Sequence, residues 1–397
     1  MSSANCPVCH SADTSVFLRR TGVPAHQNYL IPDQASAENA LRGDLTLAVC
    51  GECGFIFNRT FELSKTGYGA QYDNTQTYSP FFSRYIDGLV RHLIHEKNTR
   101  DCRIIEIGCG KGEFLKKLIE ADSLNSGGGF DPSYTGPETG VNGRVRFERH
   151  FYGPQDAVPD TDVVICRHVI EHVPDPAAFL KTLRKGLAGS PHVRIFFETP
   201  CVEWILRNHA IWDFFYEHCS YFSVDSLTTV FEEAGFKVGS VERVFEGQYL
   251  WLEAVLSSGE TATRKAGVIP SLAEEFAVTE EEYRRVLTER MESLSAQGGV
   301  AFWGAGAKGA TLANLIDPHR TRIACVADLN PQKQSHYIPG SGHPIIAPGE
   351  LSGRGVKTAV LMNPNYREEC SSLIREGGWD IDLADLTDLE LRKARHE

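Results

Sequence analysis

At residues 103–112 the sequence is Arg-Ile-Ile-Glu-Ile-Gly-Cys-Gly-Lys-Gly. A short apolar strand runs into three closely spaced glycines, and residues 113–121 continue with the pattern of a helix. Glycines at such a turn let the backbone approach a ligand closely. Asp131 ends the next apolar segment, 23 residues after Gly108, where a carboxylate can accept hydrogen bonds from ribose hydroxyls. The stretch predicts a nucleoside-binding turn contacted by Glu106, Gly108, Gly110 and Asp131; the alternative is a tight turn without a ligand.

Outward from this turn, residues 65–258 alternate between short apolar strands and helices. This alternation is typical of an α/β fold with a parallel, doubly wound sheet. A charged helical stretch at residues 270–297 precedes a second alternating unit that opens at residues 299–303. We therefore predict three parts: a small zinc-binding module at 1–64, the doubly wound domain at 65–258, and a connecting helix with a Rossmann-like αβ domain at 259–397.

Two Cys-x-x-Cys pairs lie near the N-terminus. Four thiolates from two such pairs suit a tetrahedral Zn²⁺ ion, and four protein ligands leave no open position for catalysis. The pairs predict a structural zinc site at Cys6, Cys9, Cys50 and Cys53. Free thiols or an iron–sulfur site are the alternatives.

The net charge is −12, which disfavours binding to a nucleic-acid backbone. The sequence contains no run of eighteen apolar residues, so we expect no membrane span. The first residues do not have the pattern of a secretory leader, so we expect no secretory signal. The other cysteines are scattered singly, as is typical of reduced thiols, so the expected location is the cytoplasm.

His168-Val-Ile-Glu-His172 matches an inverted zinc-protease pattern. A protease would carry both histidines on a long helix, whereas Pro174 and Pro176 follow within two turns. The position after a strand instead favours an active-site segment, in which His172 handles protons or contacts substrate. The alternative is a packed loop histidine.

Residues 213–223 crowd a carboxylate, an imidazole and two phenols after a later strand. The adjacent Glu217 and His218 predict a dyad in which the carboxylate orients the imidazole and raises its basicity. The alternative is a helix start with buried aromatics. A phenol-rich loop that contains Tyr72 is a candidate lid or an exposed loop.

Together these residues resemble the S-adenosylmethionine-dependent sugar C-methyltransferases, which act on nucleotide-linked deoxysugars. The resemblance covers nearly the whole chain. It implies a catalytic Glu217–His218 pair with His218 as base, and active-site roles for His172 and Tyr72. Phe215 stands where the family has a tyrosine, which makes the neighbouring Tyr216 a candidate, and His168, at the cofactor side, stands where an Asn is expected.

The resemblance extends to residues 302–309, Phe-Trp-Gly-Ala-Gly-Ala-Lys-Gly, and to Asp328-Leu-Asn-Pro-Gln-Lys333. It implies that Gly306 and Lys308 contact substrate, with Lys308 and backbone amides facing phosphate. The same glycines and Asp328 also satisfy a dinucleotide fingerprint. An NAD-binding domain or a purely structural cap therefore remains an alternative.

The resulting hypothesis is methyl transfer from S-adenosylmethionine to a carbon next to a ketone, on a 4-keto nucleotide sugar, through an enolate. Its expected partner is a small molecule. The alternatives are an O- or N-methyltransferase acting on another small metabolite, and a non-catalytic binding scaffold.

Overall fold

The computed structural model describes residues 5–69, 71–257 and 263–386. Its described residues form three sheets of four, eight and five strands. The predicted α/β class with parallel sheets is confirmed.

The N-terminal sheet is antiparallel, and its four cysteines lie around the strand ends. Its own elements are β1 (Thr14–Pro24), α1 (Gln34–Glu38), β2 (Arg42–Cys50) and β3 (Ile56–Asn58). The fourth strand, Ser220–Tyr221, comes from the predicted central domain and pairs with Ile56 and Phe57. The N-terminal segment is thus joined through backbone hydrogen bonds to the cluster at residues 213–223.

The central eight-stranded sheet contains the glycine turn. Its strands are β4 (Arg103–Ile107), β5 (Ser126–Phe130), β6 (Thr139–Gly140), β7 (Val145–Glu148), β8 (Val163–Arg167), β9 (Arg194–Pro200), β11 (Phe236–Val244) and β12 (Tyr249–Leu256); Ser220–Tyr221 is β10. The helices are α2 (Pro80–Arg91), α3 (Glu113–Glu120), α4 (Pro176–Gly186), α5 (Val202–Arg207) and α6 (Val224–Glu233). A π-helical turn, His92–Glu96, extends α2.

The strand order is β11-β12-β9-β8-β4-β5-β7-β6, with β4, β5, β7, β8 and β9 parallel. The chain winds outward from β4 to β5 and β7, and then returns to place β8 on the other side of β4. The carboxyl ends of β4 and β8 therefore flank a topological switch point, where ligands bind in such sheets.

The C-terminal sheet is entirely parallel, in the order β15-β14-β13-β16-β17. The long helix α7 (Ile269–Ser295) leads into β13 (Gly299–Trp303), α8 (Ala307–Ile316), β14 (Ile323–Ala327), β15 (Ile345–Ile346), β16 (Val356–Leu361), α9 (Arg367–Gly377) and β17 (Asp382–Asp385). Its switch point lies between β13 and β16, again beside a glycine turn.

Two buried clusters lie within single predicted parts, one in the central part and one in the C-terminal part, but a third is common to all three. One buried cluster contains Leu47 of β2, Phe214 of the central domain, Phe276 of α7 and Phe302 of β13. Burial of apolar surface common to all three parts fixes their relative positions. No helix among the described residues is both long and apolar enough to cross a membrane.

Candidate active site

The glycine turn after β4 is built for close backbone approach. Gly108, Gly110 and Gly112 all have positive φ, at 72°, 54° and 77°. A Cβ on Gly108 would lie 2.1 Å from a methyl group of Val169, so a larger residue does not fit there. Only glycine occupies such a left-handed position without strain. The turn lines a pocket, here called the glycine-turn pocket, with Glu106, Asp131, Phe151 and Arg167 on its other walls.

Glu106 is the second-last residue of β4, just before this turn, and is almost completely buried, at 2% exposure. Its Oε2 has no hydrogen-bond partner, and neither has the buried Nη2 of Arg167. Burial raises the pKa of the Glu106 carboxyl from 4.5 to about 7, although the Arg167 charge opposes the change. The turn therefore has an unsatisfied carboxyl at its base that would gain from a cationic ligand.

The Asp131 carboxylate organises the same turn. Its Oδ2 accepts from the Gly110 N–H at 2.9 Å, and its Oδ1 accepts from the Ser133 N–H and hydroxyl at 2.7 and 2.6 Å. A carboxylate offers about four acceptor positions. One position remains for a ligand hydroxyl, so the predicted ribose contact is compatible with this geometry but limited to a single bond.

A second pocket, here called the interdomain pocket, lies between the central and C-terminal sheets. On the central domain it is lined by His168 after β8 and Pro200 at the end of β9. On the C-terminal domain it is lined by Trp303 at the end of β13, Gly304, residues 306–309 and Asn363 after β16. The carboxyl edges of two parallel sheets therefore face one cavity. Ligand-binding residues of such sheets lie at this edge.

The residue pair Asp328 and Asn330 shapes the C-terminal side of this pocket. Asp328 Oδ2 accepts from the Ala305 N–H at 2.7 Å, as Asp131 does from Gly110. Asn330 Nδ2 donates to Asp73 Oδ1 at 3.1 Å, and Lys333 Nζ donates to Asn28 Oδ1 at 3.0 Å. These contacts hold the N-terminal segment and the Tyr72 loop against the C-terminal domain.

The two pockets meet along a common wall. Tyr72, His168 and His172 line both of them, as do residues 74–76. Glu217 and His218 line only the interdomain pocket. A group held on the glycine turn and a molecule in the interdomain pocket would therefore meet at the histidines that follow β8.

The contact of His172 with a backbone carbonyl favours one tautomer. Its Nδ1 lies 3.0 Å from the Glu217 carbonyl oxygen, which can only accept, so Nδ1 carries the proton. The Tyr68 hydroxyl lies 2.9 Å from the same nitrogen. The lone pair is consequently on Nε2. The ring packs edge to face on His218, with centroids 4.7 Å apart.

The predicted Glu217–His218 dyad is not formed. Among the described residues, the Glu217 carboxylate accepts from the Gln27 N–H at 2.6 Å and the Tyr72 hydroxyl at 3.1 Å, and His26 Nδ1 lies 3.5 Å away. Burial alone would raise the pKa of Glu217, but the His26 and His172 imidazoles and the Gln27 N–H lower it. The adjacent backbone positions direct the two side chains to different partners, a choice that sequence adjacency cannot reveal.

His218 is enclosed, and its buried Nδ1 has no hydrogen-bond partner. Burial, together with the neighbouring His172 and His168, holds the pKa of His218 well below 6.5. The imidazole is therefore neutral at physiological pH, with a lone pair available to take a proton.

Tyr216, predicted as catalytic, lies away from the site. It is completely buried, its ring packs against Phe61, and its hydroxyl accepts from the Glu62 N–H at 2.8 Å. It lines neither of the two pockets. Its position supports a structural role in fastening the N-terminal segment.

Lys308 points across the domain boundary. Its Nζ donates to Gln248 Oε1 at 2.9 Å and pairs with Asp213 Oδ2 at 3.0 Å. Both Lys308 and Gly306 line the interdomain pocket. An anionic ligand would therefore compete with Asp213 for this lysine.

Cys6, Cys9, Cys50 and Cys53 are brought together and buried. The Sγ atoms of Cys6 and Cys53 lie 3.7 Å apart, and those of Cys9 and Cys50 lie 3.5 Å apart. Thiolates on a tetrahedral zinc ion lie about 3.8 Å apart. The cluster therefore has the donor set and spacing for one metal ion.

Sequence reasoning missed several residues of the site. Gln27 and Asn28 reach the site from the N-terminal segment. Arg167 and Glu198 form a buried ion pair, with Nε 2.6 Å from Oε2. Glu171 lies beside His172 and His218. Glu171 stood within the singled-out His-x-x-Glu-His pattern, so that signal was present. The N-terminal contributions had no local signal, because they depend on packing between distant segments.

Two methyltransferases of known structure have partial similarity to this chain. The magnesium protoporphyrin IX methyltransferase ChlM from Synechocystis PCC 6803 with bound SAH matches at 15% identity over 48% of this chain and 90% of that one, with a TM-score of 0.34. A putative S-adenosylmethionine-dependent methyltransferase from Listeria monocytogenes matches at 12% identity over 45% and 100%, also at 0.34. Scores this low support no inference.

Family and sequence comparisons are more informative. Residues 80–241 match a methyltransferase domain, and residues 262–377 match a C-methyltransferase C-terminal domain. The C-methyltransferase NovU of Streptomyces niveus is 30% identical over 222 residues, which cover 52% of this chain and 52% of NovU. The chain thus spans about half the length of this curated relative. The consecutive matches and this similarity identify a methyltransferase domain followed by a C-methyltransferase C-terminal domain, the two domain types of S-adenosylmethionine-dependent C-methyltransferases.

Proposed function

We propose that the protein transfers a methyl group from S-adenosylmethionine to a carbon next to a ketone, on a 4-keto sugar linked to a nucleoside diphosphate. The observation that carries the proposal is the wall common to both pockets. Tyr72, His168 and His172 border the glycine-turn pocket on one side and the interdomain pocket on the other. A methyl donor and an acceptor held in these pockets would face each other across groups that can move protons.

The glycine-turn pocket is the proposed donor site. The left-handed glycines allow the backbone close to the nucleoside, and Asp131 has one acceptor position left for a ribose hydroxyl. S-adenosylmethionine supplies an electrophilic methyl on a sulfonium when bound. Glu106, buried and lacking a partner at Oε2, supplies negative charge for this cationic ligand.

The interdomain pocket is the proposed acceptor site, and it takes a molecule with two chemically different ends. The glycine turn after β13 offers backbone N–H groups, and Lys308 can exchange its contact with Asp213 for a phosphate. The opposite end of the pocket reaches His172 and His218. A nucleotide at the C-terminal domain and a small ketone at the histidines fit this division.

Carbon is a poor nucleophile until the neighbouring carbonyl is enolised, so the site must remove a proton first. We assign this step to His218, which is kept neutral by its burial and by the nearby imidazoles. The Tyr72 hydroxyl lies at the boundary with the donor pocket and, on exchanging its bond to Glu217, can donate to the developing enolate oxygen. His172, which borders the same pocket, carries a lone pair on Nε2 and can take up the proton and pass it on. Glu217 positions Tyr72 rather than His218.

The four buried cysteines are proposed to hold a structural zinc ion. Their Sγ spacings of 3.5 and 3.7 Å suit a tetrahedral ion with four thiolate ligands and no open position. Zinc would anchor the start of β1 and the end of β2, where Thr14 pairs with Cys50, at the opposite end of β1 from His26, Gln27 and Asn28.

The test is proton exchange at the acceptor carbon. A 4-keto-6-deoxyhexose nucleotide in deuterated water should gain deuterium next to the ketone with enzyme alone, and carbon-bound label with labelled S-adenosylmethionine. His218→Ala should lose exchange by at least about 100-fold while retaining donor binding, and Tyr216→Phe, outside both pockets, should behave as wild type. Methylation without exchange, or label on oxygen or nitrogen, would contradict the enolate route.

A further inference from the structure

Glu171, His172 and His218, at the wall common to the two pockets, form a group that could bind a metal ion. One ligand atom each from Glu171, His172 and His218 lies within 4.8 Å of the others. All three residues line the interdomain pocket. Two imidazoles and one carboxylate are a donor set that suits zinc, cobalt and nickel.

Glu171 supplies the independent evidence that something is missing at this place. The residue is 1% exposed, and its Oε1 has no hydrogen-bond partner. His168 Nδ1 lies 3.3 Å from Glu171 Oε1, but this imidazole is a cation only when it is protonated. A buried carboxylate oxygen without a partner is costly, and a metal ion would satisfy it.

The surroundings of the three residues have the pattern of supporting contacts around a metal site. Glu171 Oε2 accepts from the Thr199 hydroxyl at 3.0 Å, which leaves Oε1 for an ion. His172 donates from Nδ1 to a backbone carbonyl, which leaves the Nε2 lone pair. Metal-binding histidines almost always donate their other N–H in this way. His218 Nδ1 is a third unpartnered position.

We propose that Glu171, His172 and His218 bind one divalent transition-metal ion, distinct from the ion at the four cysteines. Ligand atoms on zinc lie about 3.3 Å apart, so the side chains would draw closer than their present spacing when the ion binds. Three protein ligands leave a fourth position toward the interdomain pocket, for water or a substrate oxygen. The ion occupies lone pairs of the histidines assigned to proton removal, so, if the proposed function holds, it inhibits that step reversibly.

Metal stoichiometry tests the site without reference to methyl transfer. Full-length protein dialysed against micromolar Zn²⁺ should hold two ions per chain. Glu171→Gln and His218→Ala should each hold one, while the thiolate-bound ion remains as an internal check of folding. When Co²⁺ replaces Zn²⁺, these two variants should keep the thiolate-to-cobalt charge-transfer absorption of the cysteine site and lose only the ion that lacks this absorption. His150→Gln, outside the three ligands, should keep both ions.

Thr199→Val tests the same site without removing a ligand. Loss of the hydroxyl should lower the affinity for the second ion by about 10- to 100-fold, the effect expected for a residue that hydrogen-bonds to a metal ligand. A single ion in wild type, or a second ion that all of these variants retain, would overturn the proposal; in that case protonated His168 is the partner of Glu171. Failure of the proposed function would appear differently, as the absence of methyl transfer by protein that carries only the thiolate-bound ion. That result would not change the number of metal ions bound per chain.

Discussion

Replacement of Glu106 by Gln should stabilise the donor-free protein, and by an amount that depends on pH. Burial raises the pKa of this carboxyl from 4.5 to about 7. Between these values the folded chain binds more protons than the unfolded chain, so stability is fully present below about 4.5 and is lost as the pH rises through about 7. The difference of about 2.5 pH units corresponds to about 3 kcal/mol of stability lost at pH 8.

Gln has nearly the same shape and no charge, so Glu106→Gln avoids this loss. The free energy of unfolding, measured by urea titration with tryptophan fluorescence, should be near that of wild type at pH 4.5 and higher by about 3 kcal/mol at pH 8. Glu120→Gln, at an exposed position on α3, is the matched control and should show no such trend. A Glu106→Gln difference that stays constant from pH 4.5 to pH 8 would refute the account of a buried, uncompensated carboxyl.

The same carboxyl should make donor binding pH-dependent: affinity for S-adenosylmethionine, measured by calorimetry, should rise as the pH approaches about 7 and then level off, and this rise should disappear in Glu106→Gln. Tyr72→Phe removes the hydroxyl that bonds Glu217 and borders both pockets, and should lower turnover by about 100-fold with little change in donor affinity; unchanged turnover would remove Tyr72 from the site. Lys308→Ala should weaken nucleoside diphosphate binding by about tenfold in calorimetry, and equal affinity would show that Lys308 serves only Asp213. Cys50→Ser should release the thiolate-bound ion and lower the melting temperature, whereas Cys325→Ser, remote from the cluster, should retain the ion.

The strands and helices around the glycine turns followed directly from the sequence pattern. The predicted strand at residues 103–107 and the helix after it have the observed bounds within a residue, as has the strand at 299–303. The start of α2 at Pro80 is also a local feature, because the Ser79 side chain accepts from the Phe82 N–H and proline suits the first turn. Such local features depend on neighbours in sequence and can be derived from it.

Partner choice at the histidines could not be derived in this way. Glu217 and His218 are adjacent, yet Glu217 turns to Gln27 and Tyr72, residues 190 and 145 positions away. Glu171, which stands within the His-x-x-Glu-His pattern, is the carboxylate that lies with the two imidazoles of His172 and His218. These contacts depend on the packing of the N-terminal segment against the central sheet.

The sequence alone determined the parallel sheets, the two glycine turns and the four-cysteine donor set, because left-handed glycines, apolar strands and paired thiols each have local physical requirements. Only the tertiary structure decided that both sheets present their carboxyl edges to one cavity and that Tyr72 and His172 lie on its border with the donor pocket. That arrangement is set by apolar surfaces buried between segments hundreds of residues apart, which no short stretch of sequence encodes.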